Sequence, residues 1–64
     1  MPLYGATANW GAYDAATRLA VVRAIPPVDG AAARFVTALA AGGFGPPDGE
    51  AGEALARVGE RAAA

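Results

Sequence analysis

Five residue types are missing from this 64-residue chain: cysteine, histidine, lysine, serine and glutamine. Each absence closes a route. Without cysteine no disulfide can staple a small fold, and the redox compartment leaves no trace in the sequence. Without histidine the common zinc, copper and iron sites lose their usual ligand. The hydroxyls of Thr7, Thr17, Thr37, Tyr4 and Tyr13 have no His or Lys base to activate them as nucleophiles. Five scattered arginines and a net charge of −1 are a poor footprint for nucleic acid, which needs a concentrated positive patch. The same balance argues against an anionic membrane surface. No apolar run approaches the roughly 18 residues of a membrane span. MPLYGATANW lacks the basic-then-apolar layout of a secretory signal. The expected location is therefore the cytoplasm. Abundant Ala, Gly, Pro and Arg with no Lys correspond to GC-rich codons, and the expected source is bacterial.

Large apolar side chains are also scarce. Nineteen of the 35 residues in the hydrophobic 55% are alanine, which leaves 16 larger groups. A chain of this length holds one small domain, residues 1–64, and burial at roughly 25 cal/mol per Å² by so few groups stands close to the entropy cost of ordering it. A covering partner, either a copy of the chain or a different protein, is the expectation. A thin but adequate monomeric core is the competing reading.

What is present divides the chain cleanly. Pro26-Pro27 and Pro46-Pro47 cannot continue a helix and bias the residue before them away from one. Three segments remain, and they predict a mainly α fold: a small three-helix arrangement with helices over 14–25, 30–41 and 49–62. Asp14, Asp29 and Asp48 each precede an apolar-periodic stretch and read as N-caps. Over 31–41 the spacing gathers Ala31, Ala32, Phe35, Val36, Ala38 and Leu39 on one side, with Arg34 and Thr37 opposite. Gly42-Gly43 supplies a left-handed helix stop, beyond which Phe44 can fold back. In the last segment Ala51, Leu55, Val58 and Ala62 form a narrow stripe, and Glu53–Arg57 stands at a favourable i,i+4 spacing. Gly52 and Gly59 share a flank, where they either admit another backbone or simply weaken the helix. The segment 19–25, LAVVRAI, is β-branched enough to serve as a strand paired with another chain. Length and capping favour helix.

Residues 4–14, YGATANWGAYD, concentrate the single Trp and both Tyr. Glycines and a lack of periodicity make 1–13 an irregular aromatic arm. Tyr4, Trp10, Tyr13 and Phe44 are the candidate partner-binding residues, because Trp and Tyr are frequent interface anchors. Tyr13 is expected to pack on its own helix, with Tyr4 and Trp10 reaching outward; a lid on the chain's own core is the alternative for Trp10. No catalytic, cofactor-binding or metal-binding residues are assigned. Asp48, Glu50 and Glu53 cluster, but acidic residues at a helix start are what the macrodipole favours, and DGEAGE lacks calcium-loop spacing. GGFGPPDG lacks the preceding strand and the Lys or hydroxyl of a phosphate loop.

Two stretches resemble small accessory subunits. VVRAIPPVDGAAARFVTALAA (21–41) is similar in layout to the epsilon subunits of actinobacterial acyl-CoA carboxylases, but has Ala24-Ile25-Pro26 where that family has Gly-Asn-Pro. ARFVTALAAGGFGPPDGEAGEAL (33–55) is similar to the C-terminal half of the delta subunit of NAD-dependent formate dehydrogenases, without its upstream Trp-Asp-Pro. The two likenesses compete for one Ala-, Gly- and Pro-rich region and define no membership. The expected function is that of a small non-catalytic protein docked on a larger partner, an accessory or stabilising subunit of a bacterial enzyme complex. The alternatives are a homo-oligomeric structural protein and a binding module for a small apolar ligand.

Overall fold

Three helices form, each for a reason visible in its ends. The computed structural model describes residues 7–63. Helix α1 spans Ala15–Arg23, α2 spans Ala31–Ala41 and α3 spans Gly49–Ala63. No strand occurs among the described residues, so the mainly α expectation holds. Residues 19–23 are helical, 24–25 close the turn after them, and the strand alternative is set aside.

Helix α1 starts where Asp14 accepts the Thr17 N–H at 2.8 Å. This satisfies one of the free donors of the first turn. The other two aspartates do not cap in this way. Val28 accepts from the Ala31 N–H at 3.1 Å, and Gly30 sits at φ 80°. Positive φ only at the third residue defines a type II turn over 28–31, a geometry that favours glycine. The turn puts Gly30, not Asp29, at the α2 N-cap, where its carbonyl accepts from Arg34 at 2.9 Å. Asp48 contributes to α3 through its backbone carbonyl, which accepts from Gly52 at 3.1 Å.

The end of α2 is a full Schellman stop. Phe44 N–H donates to the Leu39 carbonyl at 2.9 Å, Gly43 N–H donates to Ala40 at 3.0 Å, and Gly43 takes φ 85°. Chain reversal there folds Phe44 back, as its spacing predicts, so that it packs against the core.

Ala15, Ala16 and Leu19 of α1 lie beside Gly49, Glu50 and Ala51 at one end of the molecule, and Arg23 lies beside Ala54, Arg57 and Arg61 at the other. Helices α1 and α3 therefore run parallel and pack directly on each other. Helix α3 is the one against which both others pack, while α1 and α2 meet each other far less. The core is Val22 and Ile25 from the first segment, Ala31, Phe35 and Leu39 from α2, and Ala51, Leu55 and Val58 from α3, closed by Trp10. Phe35, Leu39 and Val22 are fully enclosed. The Cα radius of gyration, 10.6 Å, is what a compact chain of this size has, about 10–11 Å.

Glutamate 53 and Arg57 make no ion pair, contrary to their spacing. Gly52 is explained by its own chain. A Cβ there would stand 2.7 Å from the Pro47 carbonyl oxygen, so the PPDG turn can cross α3 only over a glycine. Gly59 has nothing within 4 Å of its Cβ position.

Candidate functional site

The aromatic arm is more regular than its composition implies. Ala12 N–H donates to Asn9 at 2.9 Å and Tyr13 N–H donates to Trp10 at 3.2 Å. These two bonds wind Trp10–Ala12 into a 3-10 turn. The turn delivers Trp10 inward rather than outward. Its side chain is 4% exposed, which corrects the expectation that it reaches toward a partner. The physical reason lies in the packing of the helices. With little direct contact between α1 and α2, the cleft between them needs a large apolar group, and Trp10 is the largest one available.

Three neighbours hold the indole. Phe35 of α2 meets it edge-on, with centroids 5.6 Å apart and planes at 78°. Tyr13 meets it at 6.3 Å and 72°. Both are the edge-to-face geometry that the ring quadrupole favours. From α1, the Arg18 guanidinium lies 5.2 Å from the ring centroid, and Arg18 Nε donates to the Trp10 carbonyl at 3.2 Å. Arg18 therefore ties the lid to α1 by a cation–π contact and a hydrogen bond. The sequence carried a signal for this: Arg18 falls inside the apolar arc of α1, where a solvated arginine has no reason to be.

Tyr13 and Phe44 are each half-buried. A Cβ on Gly11 would lie 3.1 Å from the Phe44 ring, and one on Gly42 would lie 3.2 Å from it. The Phe44 ring is thus laid between the aromatic turn and the end of α2. The structure brings Trp10, Tyr13 and Phe44 into one cluster, while Tyr4 lies outside the described residues. Beside this cluster Trp10, Arg18, Phe44 and the 45–48 turn enclose about 250 Å³. Drug-sized ligands usually occupy roughly 300–1,000 Å³.

The larger space, about 410 Å³, opens between the first turns of α1 and α3. Asp48 and Glu50 stand on its rim. No group of three His, Cys, Asp or Glu side chains suited to a metal ion occurs among the described residues. The Asp14 carboxyl is held below its ordinary value by its hydrogen bonds with Thr17, first the side-chain hydroxyl and then the backbone N–H. That shift belongs to helix capping.

Two further surfaces stand out. On the face of α2 turned away from the core, Ala33, Arg34, Thr37, Ala38 and Ala41 border a shallow, almost wholly apolar groove of about 380 Å³. At the far end of the α1–α3 pair, Arg23, Arg57 and Arg61 surround a hollow of about 160 Å³ floored by Ala54 and Val58. Neither surface was assigned from the sequence, because each is composed of residues that read singly as solvated.

No known family model, curated protein or solved structure matches the chain. Among the described residues no helix is long and apolar enough to cross a membrane.

Proposed function

We propose that this is a small non-catalytic helical protein that docks on a larger protein partner, as an accessory or stabilising subunit of a bacterial, cytoplasmic enzyme complex. The supporting observation is the outer groove of α2. Its floor is alanine, so a partner helix could approach closely without moving a side chain. It is bordered by Arg34 and by Thr37, whose hydroxyl donates to the Ala33 carbonyl at 3.0 Å and so offers a partner only an acceptor. The available side chains support the same reading, since no His, Cys or Lys is present to act as base or nucleophile. The aromatics contribute differently than their composition predicts. Trp10 serves the chain's own core, and Tyr13 and Phe44 present only their uncovered edges to a partner.

The test is co-purification of the tagged full chain from its source cell, in parallel with Ala33→Glu and Ala41→Arg. Both positions are exposed, and each new charge suits its end of α2, so the fold is retained. The reading requires a partner in fixed stoichiometry that both variants lose. A partner retained by both variants, or none with wild type, overturns it.

A further inference from the structure

Three of the five arginines in this chain converge on one hollow. Arg23 comes from the last turn of α1, and Arg57 and Arg61 come from successive turns of α3. None of their three guanidinium groups has a hydrogen bond or ion pair among the described residues. This arrangement opposes the local electrostatics. Arg57 and Arg61 are like charges at i,i+4, a spacing that destabilises a helix. Glu53, four residues before Arg57, does not neutralise it.

Helix dipoles account for part of the pattern. Arg23 and Arg61 lie in the last turns of their helices, where a cation is favoured. Each helix end offers only roughly half an elementary charge. Glu60 neighbours Arg61 in sequence but does not line the hollow, so three positive charges border it against the partial charges of two helix ends, and a local excess remains. The parallel course of α1 and α3 brings that excess to a single point. An apolar floor of Ala54 and buried Val58 lies beneath it, and such a floor strengthens the pull on an incoming anion.

We propose that Arg23, Arg57 and Arg61 form a receptor for a phosphoryl group. Three guanidinium forks match the three terminal oxygens and the double charge of a phosphate monoester, whereas one carboxylate offers two oxygens and a single charge. A hollow of about 160 Å³ admits such a group rather than a large ligand. The site lies on α1 and α3, away from the groove of α2, and does not depend on the docking reading.

Inorganic pyrophosphate is the probe, titrated into the full chain by calorimetry and followed by the arginine Nε–H resonances in NMR. Citrate serves as a carboxylate of comparable charge. Saturable one-to-one binding is expected, with the Nε–H signals of Arg23, Arg57 and Arg61 moving together and that of Arg34 unmoved. Arg57→Gln and Arg61→Gln should each weaken binding about tenfold, while Arg34→Gln leaves it unchanged. Circular dichroism confirms that each variant remains helical. Absence of saturation, equal binding of citrate, or equal loss in Arg34→Gln overturns the proposal.

Discussion

Replacing Gly52 and Gly59 in turn by alanine makes the same chemical change twice in one helix, yet the structure assigns the two changes opposite signs. In a helix interior alanine is favoured over glycine by about 1 kcal/mol. At Gly59 nothing lies within 4 Å of the new Cβ, so the full gain should appear. For a domain of this size that is a rise in Tm of roughly 4–8 °C. At Gly52 the Cβ would stand 2.7 Å from the Pro47 oxygen, where ordinary contact begins at 3.4 Å. The obstacle is backbone, held in place by the Pro46-Pro47 turn, and cannot rotate aside. Overpacking of this kind costs about 1–3 kcal/mol, which exceeds the propensity gain. Gly52→Ala should therefore lower stability by about 1 kcal/mol, so the two variants differ by roughly 2 kcal/mol. Thermal melts followed at 222 nm, with denaturant titration for the free energies, read the difference directly. An equal rise in both variants would refute the close crossing of Pro47 over α3.

Trp10→Ala should cost about 3–5 kcal/mol, comparable with the whole stability of so small a fold, and should abolish the cooperative melt. Trp10→Phe should retain a melt at lower temperature. Arg18→Met keeps the aliphatic stem but removes the hydrogen bond and the cation–π contact; a loss of about 1–2 kcal/mol is expected, together with a red shift of Trp10 fluorescence. Gly43→Ala puts a side chain at φ 85° and should cost about 1–2 kcal/mol by denaturant titration. Because the Asp14 carboxyl is held below its ordinary value, its capping contribution is present above the ordinary carboxylate range and lost as pH falls through the lowered value. The helicity difference between wild type and Asp14→Ala should accordingly be largest near neutral pH and shrink in acid.

The helices and their stops were legible because they rest on local rules. Proline pairs, the glycine stop and the periodicity of Phe35, Val36 and Leu39 act within a few residues, and each holds within a residue or two of its expected place. The cap at Asp29 was misplaced because a type II turn moves the cap by one residue, and only the backbone angle of Gly30 reveals it. The inward aim of Trp10 was not legible, since it depends on how far apart α1 and α2 lie. The role of Gly52 depends likewise on where the Pro47 carbonyl crosses α3. The arginine hollow escapes a linear reading because Arg23 and Arg61 are 38 positions apart, and only the parallel course of α1 and α3 unites them.

The docking account is tested most directly by native mass spectrometry of the tagged chain isolated from its source cell, with wild type and Ala41→Arg prepared identically. The account predicts one discrete hetero-assembly containing a whole number of copies of this chain, and free chain alone for the variant. Free monomer or a homo-oligomer from the wild type, or the same assembly from both preparations, would contradict it.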